Sequence, residues 1–366
     1  MRKNRLSQNL KKPDRVLFII TLLLTVIGLI AVADASAPIA VRDFSDKYFF
    51  VKQQLGWAAF GLILFFIFLR VNYRFWEKIA TPLFLTSIAF LIMVFVPGLG
   101  AKFLGAKRWL IIGPYSFQPS EFLKLAIAIY IAKLAVNNKK IKAYFLPVII
   151  VALLIMLQPD LGTTIVVVGV AMTQIFVSGI PLLYYLGSSI AGILLCIVLI
   201  LVSPYRRDRL FTYLHITQDP LDKSYHIRQI LLALGSGGIF GVGLGHSRQK
   251  YLFLPETATD SIFAVIAEEI GFLGASFLIL LISMYVIRGI KISINAPDKF
   301  SQVLATGITS WVAIQALLNI GSMVALVPLT GIPLPFISYG GTALTAVLAA
   351  SGILLNISKY SHEKKK

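Results

Sequence analysis

Residues 244–287 read LGHSRQKYLFLPETATDSIFAVIAEEIGFLGASFLILLISMYVI. Six charged side chains, Arg248, Lys250, Glu256, Asp260, Glu268 and Glu269, fall within 22 positions, and the last two lie inside a run that is otherwise apolar. From position 261 to 287 that run is long enough for a helix to cross a bilayer, which takes roughly 20 residues. Ionisable groups inside a span are costly, so each one marks a candidate functional position. Asp260 stands at the mouth of this span, and a straight helix would put Glu268 and Glu269 roughly 12–13 Å deeper.

The same pattern extends in both directions. The chain has 366 residues, of which 57% are hydrophobic and only 14% charged, and its mean hydropathy is +0.83. A soluble chain of this length would divide into two domains; apolar runs recurring from end to end instead predict an all-α polytopic membrane protein. Ten spans are expected, at 16–35, 49–69, 79–98, 120–136, 144–158, 162–179, 183–203, 261–287, 301–327 and 340–358. Together they make one membrane domain over 16–358, flanked by basic tails at 1–15 and 359–366, with a large loop at 204–260. The Pro159–Asp160 break makes the fifth and sixth spans a tight hairpin. The apolar run after the basic N-terminus is too long for a signal-peptide core, so it is expected to be retained as the first helix.

The net charge of +18 does not point to nucleic acid, because the cations are spread over loops and tails between spans. Short basic segments at 70–78, 137–142 and 288–299, with both tails, are assigned to the cytoplasm by the positive-inside rule. Both termini are then cytoplasmic. Cys196 is the single cysteine, so no disulfide forms within the chain, and His215, His226, His246 and His362 lack metal-ligand spacing. No metal or cofactor is predicted, and a divalent-cation requirement is not readable. No internal repeat is visible, which argues against a transporter built from inverted repeats.

Three external segments carry the chemistry. GAKFLGAKRWLIIGPYSFQPS (100–120) contains Lys107 and Arg108; the 204–260 loop contains Arg206, Arg207, Arg209, Arg248 and Lys250; VPLTGIPLPFISYGG (327–341) is uncharged but dense in Pro and Gly. Cations on the disfavoured side of a membrane need a local reason, and an anionic ligand supplies one. Within the long loop, YHIRQILLALG (225–235) has helical apolar spacing, and GSGGIFGVGLG lacks the strand–turn–helix context of a dinucleotide site. It reads instead as a turn-rich floor to a binding site, or as a flexible connection. In FQPSEFLKLA (117–126), Glu121 and Lys124 at i, i+3 predict a buried pair, either structural or lining a cavity. Asp160 in LQPDLGTT (157–164) is placed to cap the sixth span.

GSGGIFGVGLGHSRQKYLFLPETATDSIFAVIAEEIGFLG (235–274), FQPSEFLK (117–124), QPDLGT (158–163) and PLPFISYGG (333–341) together resemble the SEDS family (shape, elongation, division and sporulation). The resemblance covers essentially the whole chain, and the G-x-S-x-Q-K run before the LPE turn resembles the FtsW branch more than the RodA branch. It implies a peptidoglycan glycosyltransferase that polymerises lipid II at the outer face of the bacterial plasma membrane, most naturally for division. It implies Asp260 as the catalytic base, taking the acceptor hydroxyl proton in an inverting transfer. Lys107, Arg108, Arg206, Arg207, Arg209, Arg248 and Lys250, with Glu256 beside them, would form the site for the lipid pyrophosphate. Glu121, Lys124, Asp160, Glu268 and Glu269 would shape the cavity. The implied partners are a class B penicillin-binding protein and other divisome or elongasome membrane proteins. The family commonly reads H-T-D-F-I-F-A after LPE; here Ala258 and Ser261 replace the histidine and the first phenylalanine. The alternatives are a lipid II flippase, a RodA-like elongation enzyme, or a scaffold for cell-wall enzymes. A flippase would need polar residues along a path through the whole membrane, whereas these motifs gather on one side, and a scaffold leaves Asp260 unexplained.

Overall fold

The computed structural model describes residues 11–361 except 104–105, 114, 138–140, 204–206, 208–210, 212, 214–224 and 252–253. Twelve helices are described: α1 (Arg15–Ala35), α2 (Ala37–Phe44), α3 (Phe49–Arg70), α4 (Arg74–Met93), α5 (Pro119–Val136), α6 (Lys142–Leu157), α7 (Leu161–Val177), α8 (Leu182–Val202), α9 (Tyr225–Gly237), α10 (Ile262–Ile294), α11 (Lys299–Met323) and α12 (Gly341–Ser358). Ten of them fall on the ten expected spans. Seven (α1, α3, α4, α8, α10, α11 and α12) are long and apolar enough to cross a membrane, and α6 and α7 are shorter apolar helices.

The helices begin where local chemistry lets them. Pro119 starts α5, where its missing N–H costs nothing. Asp14, Asp160 and Asp298 each accept a hydrogen bond from a first-turn backbone N–H of α1, α7 and α11. Helices α5, α11 and α12 form the centre, and most of their residues are buried. Helix α12 packs on α3, with a close approach at Gly352, where a methyl group would lie 2.5 Å from the Phe65 carbonyl oxygen. Helix α8 buries none of its residues and packs against α7 at the perimeter.

Three expectations are corrected. The third span ends at Met93, not 98, and begins within the basic segment at Arg74. Beyond it the expected 100–120 loop is a three-stranded antiparallel sheet of β1 (Gly100–Phe103), β2 (Ala106–Ile112) and β3 (Tyr115–Phe117). The aromatic and β-branched residues of the AKRWLII run favour strand over coil, so a small sheet is added to the otherwise helical fold. The third correction concerns the eighth span. It extends from Ile262 to Ile294 and breaks at Gly271 (φ 66°, ψ −170°).

The glycine-rich segment fills that break. Val242 and Gly243 donate backbone N–H groups to the carbonyls of Glu268 and Glu269, at 3.0 Å each. Phe272 and Leu273 donate to the carbonyls of Gly238 and Ile239, at 2.9 and 3.2 Å. Four backbone groups at the break are thereby satisfied inside the protein, which is what allows irregular backbone at membrane depth. A methyl group at Gly271 would meet the Gly241 nitrogen at 2.3 Å, and one at Gly241 would meet the Glu269 oxygen at 2.1 Å. Neither position tolerates a side chain. The glycines therefore close a helix break and are fixed in place by it, so the segment is not a flexible tether.

Candidate active site

Five connecting segments converge on one face of the bundle. Arg108 Nε and Nη2 donate to the carbonyls of Gln158 (3.1 Å) and Pro159 (2.5 Å), joining the sheet to the α6–α7 turn. Tyr213 Oη donates to the Leu326 carbonyl at 3.0 Å, joining the loop after α8 to the one after α11. The Thr257 hydroxyl donates to the Ala35 carbonyl at 3.2 Å, joining the LPE turn to the end of α1. On the opposite face the Lys11 N–H donates to the Lys359 carbonyl at 3.1 Å.

Asp260 lies immediately before the first turn of α10, half-buried, in a turn gripped from several sides. The Ser338 hydroxyl donates to the Thr259 carbonyl at 2.6 Å, and the Tyr339 N–H donates to the Ala258 carbonyl at 2.8 Å. Asn319 Nδ2 donates to the Asp260 carbonyl at 2.8 Å. A methyl group at Gly331 would stand 3.4 Å from Asp260 Oδ2, so the carboxylate sits against the Pro/Gly-rich turn after α11. The LPE turn carries strain of its own: Glu256 has φ +52°, and its carboxylate accepts from the Thr259 hydroxyl at 2.7 Å.

The S-R-Q-K run has a structural explanation. The Ser247 hydroxyl donates to Glu268, and the backbone N–H groups of Ser247 and Arg248 donate to Glu269 and Glu268, at 3.1 Å each. Lys250 Nζ lies 2.7 Å from Asp34 Oδ1 and 2.7 Å from Glu269 Oε1, with its side chain 3% exposed. Burial opposes the charge on Lys250, but the hydrogen bonds to Asp34 and Glu269 more than offset it, and the ammonium is held above the usual lysine range. Lys250 is thus engaged by carboxylates of its own fold and is removed from the anion site proposed from its sequence position. The two glutamates bind the loop.

Arg108 needs a similar correction. Besides its two carbonyls it lies 3.7 Å from Asp160 Oδ2, while Asp160 caps α7 by accepting from the Thr163 N–H and hydroxyl, at 3.0 and 2.9 Å. The guanidinium braces the α6–α7 turn. The Glu121–Lys124 pair forms as expected, at 2.7 Å with both side chains buried. Lys107, Arg207 and Arg248 are exposed cations on the side of the bundle that carries Asp260, and Arg206 and Arg209 lie outside the described residues.

Several residues were not singled out from sequence. Asp34 carried a readable signal, an acid inside the first apolar run, but nothing local pairs it with a lysine 216 positions away. Gln315, Asn319 and Ser338 are neutral and carry no such signal. His226, which has no metal-ligand spacing in the sequence, places its Nε2 2.9 Å from Ser261 Oγ. Ser261 is fully buried. Replacing it by phenylalanine, the family's usual residue, is therefore expected to overpack the site and cost about 1–3 kcal/mol. Melting of Ser261→Phe against the parent in detergent checks this, and Ser261→Phe/His226→Ala should recover part of the loss.

Residues 14–363 match the family model FTSW_RODA_SPOVE, described as cell cycle protein. The chain is 44% identical to Stage V sporulation protein E of Bacillus subtilis, covering 95% of this chain and 98% of that protein. It is 37% identical to the probable peptidoglycan glycosyltransferase FtsW of Trichlorobacter lovleyi, covering 94% and 93%. The resemblance to FtsW thus stands beside a higher identity to the sporulation protein. Among solved structures, one chain of a peptidoglycan synthase complex that coordinates polymerization and crosslinking superposes with a TM-score of 0.78 at 27% identity, covering 94% of this chain and 97% of that one. The rod shape determining protein RodA of Thermus thermophilus superposes with a TM-score of 0.71 at 26% identity, covering 96% and 98%. The chain belongs to the FtsW/RodA/SpoVE family of cell cycle proteins.

Proposed function

We propose that this protein is a peptidoglycan glycosyltransferase that polymerises lipid II at the outer face of the bacterial plasma membrane, with Asp260 as general base. The observation that carries this reading is the placement of one carboxylate. The turn carrying Asp260 is held at its carbonyls by the side chains of Asn319 on α11 and of Ser338 in the turn after it, on the face that also presents Lys107, Arg207 and Arg248. Those cations would hold the donor pyrophosphate, which then leaves without needing an acid. The carboxylate would take the proton of the acceptor hydroxyl as it attacks the anomeric carbon. Glu256, exposed in the strained turn, would border the acceptor side. A class B penicillin-binding protein is the proposed partner, in keeping with the relative solved as a polymerization and crosslinking complex. Other divisome or elongasome membrane proteins would assemble around the pair. The FtsW relatives point to the division wall. The 44% identity to a sporulation protein favours a second reading, in which the same chemistry serves spore wall synthesis.

Purified protein given lipid II should form glycan polymer, with more product when the partner transpeptidase is present; no polymer under either condition would defeat the reading. The ten-span topology is tested separately. In a Cys196→Ala background, Lys47→Cys should label with an impermeant thiol reagent on intact cells and Lys291→Cys should not. Reversed labelling would put Asp260 on the wrong side of the membrane for this substrate.

A further inference from the structure

Helix α11 carries a buried polar stripe at i, i+4 and i+8: Trp311, Gln315 and Asn319, none more than 2% exposed. Residues at this spacing share a helix face. Gln315 Oε1 accepts from Trp311 Nε1 at 2.7 Å and from Lys124 Nζ at 2.8 Å, while Gln315 Nε2 donates to the Pro333 carbonyl at 2.9 Å. One turn further along, Asn319 Nδ2 donates both to the Ile332 carbonyl and to the Asp260 carbonyl, at 2.8 Å each. Successive turns of one helix thus hold successive carbonyls of the external turn, and the second of them also holds Asp260. The orientation of the Asn319 amide follows from its partners. Turned over, its oxygen would face two carbonyl oxygens.

The Asp260 carbonyl needs such a donor. It lies one residue ahead of Ser261, whose carbonyl accepts the first backbone bonds of α10. The helix therefore does not set the direction of the Asp260 peptide. With the Ile332 carbonyl on the same amide, Asn319 fixes Asp260 relative to the turn against which its carboxylate rests.

We propose that Asn319 is the positioning residue for the Asp260 carboxylate. Through Gln315, the buried Glu121–Lys124 pair is joined to the same strut. Asn319 touches neither substrate in this account; it acts only through where it puts Asp260. The proposal rests on the reading of Asp260 as the base.

The test uses the full-length protein with its partner transpeptidase. Asn319→Ala removes both donors, and Asn319→Ser keeps one hydroxyl donor at smaller size. A misplacement of about 1 Å in a catalytic group costs on the order of 10²-fold in rate. Asn319→Ala should therefore lower kcat for lipid II polymerisation by roughly 10- to 100-fold, with KM held within about 3-fold and the protein still folded at the assay temperature, and Asn319→Ser should fall between it and the parent. Backbone amide exchange should rise over residues 258–262 and stay constant over the rest of α10. Unchanged kcat with unchanged exchange would overturn the proposal. So would a kcat loss that tracks lost melting temperature in both variants, because that is the mark of a merely structural residue. Faster exchange at 258–262 with full kcat would also overturn it. Failure of the underlying reading shows separately, as full activity of Asp260→Asn in otherwise unaltered protein.

Discussion

Asp260→Asn is expected to insert into the membrane, retain its partner and lose glycan polymerisation by about 10²–10⁴-fold, the usual cost of removing a general base. The substitution keeps the shape of the side chain and leaves the backbone contacts of the turn intact. The Asn319 and Ser338 side chains bind the carbonyls of Asp260 and Thr259, not the carboxylate. What disappears is the negative charge that accepts a proton. The measurement is polymerisation of lipid II by purified protein with its partner, scored beside co-purification of the partner. Activity within a few-fold of the parent would reduce Asp260 to a structural turn residue. Asp160 and Glu268 would not easily take its place. Asp160 is committed to capping α7, and Glu268 accepts from Ser247 and from the Arg248 N–H.

Lys250→Met is expected to cost about 3–5 kcal/mol of stability, the range for breaking a buried pair by removing one partner. The thioether fills the lysine stem's volume but leaves Asp34 and Glu269 facing each other without a cation. Asp34 is on α1, Glu269 on α10 and Lys250 on the loop between α9 and α10, so the loss loosens three elements at once. The triple variant Lys250→Met/Asp34→Asn/Glu269→Gln should recover much of the stability, because no buried charge is then stranded. Thermal unfolding in detergent, compared across the single and triple variants, provides the check. A Lys250→Met protein that melted normally but bound lipid II weakly would restore Lys250 to the anion site.

These two residues show how differently the parts of this protein could be read. The positions of the apolar helices were legible because bilayer thickness imposes a length and an apolar composition on each helix by itself, with no knowledge of its neighbours. Asp260 was legible for a related reason: an ionisable group at the mouth of a span, in a motif of recognisable order, is costly enough to demand an explanation. The Glu121–Lys124 pair needed only the i, i+3 rule, which is also local. Lys250 and Arg108 misled because sequence gives charge but not partner. Asp34 lies 216 positions from Lys250, and Asp160 lies 52 from Arg108; only the tertiary fold brings each acid to its base. The glycine-rich run was ambiguous for the same reason. Its backbone groups are satisfied by a break in a different element, at Gly271. Asn319 left no trace in the sequence at all. A neutral amide in an apolar helix becomes the support of a candidate catalytic turn only when two distant carbonyls arrive within 2.8 Å of one nitrogen. Local chemistry determined where this chain forms apolar helices and which carboxylate stands just ahead of α10. Which charges are already spent, and what holds that carboxylate in place, was decided by long-range packing, because hydrogen bonds and ion pairs depend on distance in space and not along the chain.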